Sequence, residues 1–484
     1  MKKYRLLAML LCICLLTQNV SATAGDTSSQ ESAASAAAEP AISVSSNTSV
    51  LSGSHSLDAA QSLMGSGKIL KTAGAAILYE INSDTMVYSW NPDTQLEPAS
   101  LVKVMTALLA IERGNLEDSI TISANAVASL PQTMTPEFKV GEIVTLEQML
   151  YCMMVGSSNE AALIIAHHIA GSQQGFHVLM NRRAQELGCT NTNFTNANGL
   201  VDENQYSTAR DMVKVLREAI KHEFFMEIFS EIRYTLPATN LHEARYYNTT
   251  NYMVTDETQI YYDRRVTGGR TGVTNDRRRS LIVTAESRGL SYIAVVMDAI
   301  PTFDANGYTP IRFGSYEEIK DLLNLGFQGY AIKQVISEND ILDQYPVTNG
   351  DSQVVVGPVY SASAVLPEDI RMDQLTVRYQ FPISPFTAPV VSGPLNNTVQ
   401  FWYKNICVAE APIEIKNDVR VFTQKVELTY AETDAVVNTA LAVVGTLLAV
   451  ALGAAAVFYF APVLRRTFAR NQHRRRRMDR RRSR

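Results

Sequence analysis

The chain has 484 residues, 46% of them hydrophobic and 19% charged, ordinary values for a globular protein that leave room for a sizeable core. The formal net charge of -5 hides an asymmetry: Lys2, Lys3 and Arg5 give +3 at the start, residues 465–484 give +10, and the body between carries -18. Cys152, Cys189 and Cys407, the cysteines beyond the first apolar run, are odd in number and widely spaced, which excludes a disulfide framework and a Cys/His metal set.

In chain order, residues 1–24 read as a secretory signal peptide. The cationic start is followed by an apolar run from Leu6 to Leu16, in which Cys12 and Cys14 are apolar filler, and by Ala22-Thr23-Ala24 as a cleavage site. Residues 25–56 are rich in Ser, Ala and Thr and read as a linker. From residue 57 the pattern changes. Ala73 to Ile81 predicts a strand and Thr85 to Trp90 its hairpin partner. A helix is predicted from Ser100 to Arg113, stopped at Gly114. Helical patterning over Leu146–His168 breaks at Gly156-Ser-Ser, and Ser207-Thr208 opens another helix that runs to Lys221. Val266–Thr271, Ser280–Ala285 and Tyr292–Asp298 read as successive strands, and Tyr316–Phe327 as a helix.

After residue 330 short β runs predominate, among them Gln353–Gly357, Leu375–Tyr379, Val399–Tyr403 and Lys425–Tyr430. They predict a small β-sandwich over 331–433, set before the membrane. Residues 435–464 contain no charge and are long enough to span a bilayer. The Arg-rich tail, 465–484, would stay cytoplasmic, which places the preceding chain outside and agrees with a signal peptide. Retention on that side and attraction to anionic lipid account for the arginines, so no nucleic acid is expected as a partner.

Three short segments carry chemistry. Ser100-Leu-Val-Lys103 lies at a helix start, where positions i and i+3 share a face and can aim a hydroxyl and an amine into one cleft. A serine needs such a base, and a lysine serves only if burial or nearby charge lowers its pKa. The bland alternative is an N-cap serine beside a solvated lysine. Ser157-Ser158-Asn159 sits between two helical runs, as a proton-relaying hydroxyl with a substrate-gripping amide, or as a plain polar turn. Arg270-Thr271-Gly272 lies on a strand, as a dock for an extended peptide ending in a carboxylate, or as an edge cation before a bend.

In this order and spacing the three segments resemble the active-site serine penicillin-recognising enzymes, whose patterns are S-x-x-K, S-x-N and K-T-G. The resemblance is to their D-alanyl-D-alanine carboxypeptidases, among the low-molecular-mass penicillin-binding proteins. It extends through Pro98-Ala-Ser-Leu-Val-Lys-Val-Met-Thr, Val140-Gly-Glu-Ile-Val-Thr-Leu, Asn196-Ala-Asn-Gly-Leu and Tyr206-Ser-Thr-Ala-Arg-Asp-Met, covering roughly 58–330. It implies an α/β (α+β) penicillin-recognising domain over 57–330, of the transpeptidase/β-lactamase-like kind, with an antiparallel sheet and a helical subdomain. The β-sandwich and a C-terminal transmembrane helix would follow.

The implied activity is removal of the terminal D-alanine from peptidoglycan stem peptides that end in D-Ala-D-Ala. Ser100 would attack, Lys103 accept its proton and Ser157 relay a proton to the leaving D-alanine. Asn159 would position the peptide, and the backbone N–H groups of Ser100 and Val273 would form the oxyanion hole. Arg270, Thr271 and Gly272 would bind the terminal carboxylate. The resemblance implies no metal or cofactor, β-lactam antibiotics as covalent inhibitors, and a single-pass protein of the cell membrane.

Two departures from the family pattern stand out. Arg270 replaces the usual lysine, keeping charge but unable to lend a proton, so an electrostatic role is expected of it. Bulky Arg277 and Arg278 replace small residues, either as a solvated hairpin tip or as a constriction of the cleft. Two competing readings remain: a β-lactamase using the same acylation machinery, and a wall-binding scaffold that keeps the fold without turnover.

Overall fold

The computed structural model describes residues 57, 62–64, 69–128, 130, 135–379, 385–423 and 430–479, with side chains over 435–466 in the last segment. The expected signal peptide and linker, and the last residues of the tail, lie outside the described residues.

The chain first makes a hairpin, β1 (Ala75–Glu80) and β2 (Thr85–Trp90). A 3-10 turn, Ala99–Leu101, then leads into α1 (Val102–Arg113). A helical layer follows: β3 (Ser119–Thr121), α2 (Ala124–Val127), β4 (Ile143–Thr145), α3 (Leu146–Met154), α4 (Asn159–Ala170) and α5 (Gln173–Glu186). It continues through α6 (Ala209–Ala219), α7 (Glu223–Ser230) and the hairpin β5 (Arg233–Leu236) and β6 (Arg245–Asn248). Then come β7 (Val266–Val273), β8 (Arg279–Ser287) and β9 (Leu290–Ala299), a small pair β10 (Thr302–Phe303) and β11 (Pro310–Arg312), and α8 (Gly314–Gly329).

The main sheet is antiparallel with strand order β2-β1-β9-β8-β7, which leaves β7 at an edge. Both faces are covered, so β1 is buried at all six positions and reads as a continuous apolar run. Alternation still sorts its side chains. Ala75, Ile77 and Tyr79 join α1 and the helical layer, whereas Ala76 and Leu78 join α8. Each fully buried Leu or Ile contributes about 1.5–3 kcal/mol relative to exposure.

Caps set the helix starts. Thr145 and Gln148 form a capping box at α3, Ser158 accepts from Ala161 N at α4, and Thr208 accepts from Asp211 N at α6. The sequence pattern missed α5 because it buries only Phe176, Met180 and Ala184, a narrow stripe on a polar helix.

Beyond α8 the chain is β-rich, as expected. It comprises β12 (Tyr330–Ile336), β13 (Asp343–Tyr345), β14 (Val347–Thr348), β15 (Val354–Pro358), β16 (Ala362–Pro367), β17 (Thr376–Tyr379), β18 (Phe386–Thr387), β19 (Gly393–Tyr403) and β20 (Ile406–Ile415). A second five-stranded sheet has the order β13-β15-β20-β19-β17, and β12 pairs with β16. Val354, Val399 and Phe401 share one buried apolar cluster with Ile319 and Leu322 of α8. Of the strand expected over 425–430, residues 425–429 lie outside the described residues, and Tyr430 instead opens a helix, α9 (Tyr430–Asp479). Within α9, Ala435–Arg466 contains a stretch of 18 residues with a mean hydropathy of 2.5 and is long and apolar enough to cross a membrane.

Candidate active site

The turn before α1 places Ser100. Ala99 has a left-handed φ of +46°, so the chain enters the turn strained, and no side chain caps α1. Ser100 therefore does not act as an N-cap; its Oγ accepts instead from Lys103 Nζ at 3.0 Å. Two glycines make the turn possible. Gly199 has φ of +80°, and a Cβ there would lie 2.1 Å from Ala99 O. A Cβ on Gly272 would lie 3.1 Å from Pro98 O and 3.5 Å from Ser100 N, so β7 closes on the turn at backbone distance.

Lys103 is fully buried, which overturns the picture of a solvated lysine. Its Nζ donates to Ser100 Oγ, to Asn159 Oδ1 at 2.8 Å and to the carbonyl of Asn198 at 2.5 Å. Burial pushes its pKa well below the usual lysine value, nearby Arg270 pushes the same way, and Glu137 opposes them. The amine is thus poised to accept a proton from a neighbouring hydroxyl.

The turn between α3 and α4 brings Ser157 and Asn159 to the same place. Ser157 sits at φ +61°, a costly conformation for a residue with a Cβ, while Ser158 caps α4. The two serines therefore divide the work: Ser158 holds the helix and Ser157 is left to face the cleft. Asn159, the first residue of α4, meets Lys103.

The cleft has a volume of about 280 Å³. Ser100 and Ser157 line one side, and Thr271 and Val273 of β7 another. Thr249, Thr250, Tyr252 and Arg279 complete it. Thr271 and Thr250 share a hydroxyl contact of 2.6 Å. Ser100, Ser157, Thr271 and Val273 thus line one cleft, with Lys103 hydrogen-bonded to Ser100 and Asn159 behind it and Gly272 packed against the Ser100 turn.

Arg270 is placed differently. It is 1% exposed, does not line the cleft, and donates Nη1 to Met154 O, the last carbonyl of α3, at 2.7 Å. Its Nε and Nη2 have no hydrogen-bond partner among the described residues, and burial pushes its pKa down to about 10. It stays cationic, behind the site.

Arg277 and Arg278 sit on the β7–β8 turn and are engaged rather than freely solvated. Arg277 lies over the Phe303 ring and donates to Tyr308 O at 3.1 Å. Arg278 pairs with Asp276 and Asp298 at 2.9 and 2.7 Å. Neither lines the cleft.

Sequence reasoning passed over two participants. The carbonyl of Asn198 was hidden because it is backbone; only the Asn196-Ala-Asn-Gly-Leu segment hinted at it. Arg279, the neighbour of Arg277 and Arg278, has no role of its own in the sequence reading. A larger groove, about 630 Å³, lies along α5 beside His177 and Asn181, and it contains no paired nucleophile and base.

A family model described as D-alanyl-D-alanine carboxypeptidase, peptidase S11, matches residues 65–300. The chain is 28% identical over 359 residues to D-alanyl-D-alanine carboxypeptidase DacA of Haemophilus influenzae, an alignment covering 72% of this chain and 85% of that one. It is 26% identical to DacF of Bacillus subtilis, with 72% and 86% covered. Among solved structures, penicillin-binding protein 5 of Haemophilus influenzae superposes with a TM-score of 0.56 at 26% identity, over 74% of this chain and all of that one. The chain resembles the serine D-alanyl-D-alanine carboxypeptidases in sequence and in fold.

Proposed function

We propose that the chain is a serine-type D-Ala-D-Ala carboxypeptidase that trims the terminal D-alanine from peptidoglycan stem peptides. The observation that carries this reading is the buried, charge-depressed Lys103 amine 3.0 Å from the hydroxyl of a cleft serine. Ser100 Oγ attacks the carbonyl carbon between the two D-alanines as its proton passes to Lys103 Nζ. The C–N bond then breaks, the departing amine takes a proton through Ser157, and a Ser100 ester remains. Water attacks the ester with Lys103 as base and frees Ser100.

Asn159 orients both Lys103 and the peptide amide. Thr271, Gly272 and Val273 offer the edge of β7 to an extended peptide. The N–H groups of Ser100 and Val273 would hold the oxyanion, each donor typically worth about 3 kcal/mol in the transition state. Arg270 acts through its charge from behind the strand. A β-lactam would follow the same acylation route and stay attached.

The resemblance and the apolar helix support membrane association. The finer reading is a single-pass protein with its catalytic domain, 57–330, and β-rich domain, 331–433, outside, and its Arg-rich tail in the cytoplasm. D-alanine release from diacetyl-Lys-D-Ala-D-Ala by the detergent-solubilised chain, beside Ser100→Ala, tests the function. Release by the parent alone supports it, and equal release by both sinks Ser100 as the nucleophile.

A further inference from the structure

We propose that Arg279, and not Arg270, takes the α-carboxylate of the departing D-alanine, and that this contact makes the chain an exopeptidase. The inference rests on the carboxypeptidase reading and adds the residue that sets its specificity.

Strand geometry separates the two arginines. Successive residues of β7 face opposite sides of the sheet. Arg270 pairs with Ile282, whose side chain belongs to the helical cluster, and it is buried on that side. Thr271 pairs with Leu281, which belongs to the α8 cluster. Val273 is two residues beyond Thr271 and pairs with Arg279, and directly opposed residues share a face. Thr271, Val273 and Arg279 therefore present their side chains together, and all three line the Ser100 cleft.

Commitment separates Arg279 from its neighbours on the turn. Arg277 and Arg278 are held by Tyr308 O, Asp276 and Asp298. The Arg279 guanidinium has no hydrogen bond or ion pair among the described residues, and its Nε is shielded from solvent without a partner. It lies over the ring of Phe313, 3.9 Å from the centroid. That ring is backed by Tyr261 and Tyr316, and Tyr316 is tied by its hydroxyl to Thr250 O at 2.8 Å. A guanidinium held over a braced ring, with its two terminal nitrogens unpaired, has donors left for a bidentate anion. In a chain whose body is acidic, an unpaired arginine facing a nucleophile's cleft fits a substrate carboxylate.

The test uses the solubilised full-length chain and two peptides, diacetyl-Lys-D-Ala-D-Ala with a free carboxylate and the same peptide as its C-terminal amide. The parent should prefer the acid. Arg279→Gln should lower kcat/KM for the acid about 10- to 100-fold, mostly through KM, and leave the amide unchanged, with Arg279→Lys recovering part of the loss. Arg270→Gln should instead lower kcat on both peptides alike. An acid-to-amide ratio unchanged in Arg279→Gln, or a ratio that collapses in Arg270→Gln alone, overturns the assignment. Unfolding temperatures matching the parent guard against misfolding. If the parent releases neither D-alanine from the acid nor D-alaninamide from the amide, the carboxypeptidase reading itself falls and takes this inference with it.

Discussion

Lys103 is the residue on which the chemistry turns, because one amine must be buried, hydrogen-bonded and able to shed its proton more readily than an ordinary lysine. Only its neutral form can take the Ser100 proton. Burial and the Arg270 charge both lower its pKa, so the neutral fraction, and with it acylation, rises with pH through that lowered value and then levels. Stopped-flow acylation by a fluorescent penicillin should show one rising limb, well below the ordinary lysine range. Arg270→Met removes a neighbouring positive charge and should move the limb to higher pH. An unmoved limb would mean that Arg270 is felt only as packing. At this scale the sequence was highly legible: Ser100, Lys103, Ser157 and Asn159 were found by type and spacing and lie in one place. The Asn198 carbonyl and the left-handed Ala99 and Ser157 were not legible, since backbone groups and dihedral angles leave no side-chain signature.

At the scale of elements, the site depends on backbones that touch. Gly199→Ala would set a Cβ against Ala99 O in a left-handed conformation and force the Ser100 turn outward. It should reduce penicillin labelling at least tenfold and lower the Tm, whereas Gly171→Ala, at a helix end with open space around it, should only lower the Tm slightly. The approach to β1 has its own clamp. Glu318 on α8 accepts from Lys71 N, Ala73 N and Thr72 Oγ1, each at 2.9 Å, and from Thr72 N. Glu318→Ala leaves these donors without their acceptor and should cost about 2–3 kcal/mol, read as a Tm several degrees lower with acylation of the folded enzyme unchanged. The strands β1, β2, β8 and β9 were legible because burial makes apolar runs, and β7 through its Arg270-Thr271-Gly272 segment. Helix α5 and the β5–β6 hairpin escaped for want of a broad apolar period, and α7 because its eight residues are too short a run to tell a helix from a strand.

For the whole molecule, the unequal charge of the ends and the apolar stretch of α9 suggest one orientation. In right-side-out vesicles trypsin should leave the tail arginines intact and still reach the catalytic part; cleavage of the tail alone would reverse the proposed topology. Limited proteolysis should also show whether the chain parts near residue 330. The apolar cluster shared by α8, β15 and β19 predicts that any nicked halves stay together until denatured.

The sequence by itself carried the resemblance to a reaction class, the Ser100 and Lys103 pair proposed as nucleophile and base, the positions of the main strands along the chain and the apolar span, because each rests on residue type at short spacing. Only the tertiary structure decided which arginine faces the cleft. Arg270 and Arg279 are nine residues apart and alike in type, and the antiparallel β7–β8 register turns one into the core and the other toward Ser100. The same folding supplied the pKa of Lys103. Burial, and a charge brought from 167 residues downstream in the chain, are properties of the packed molecule and of no local segment.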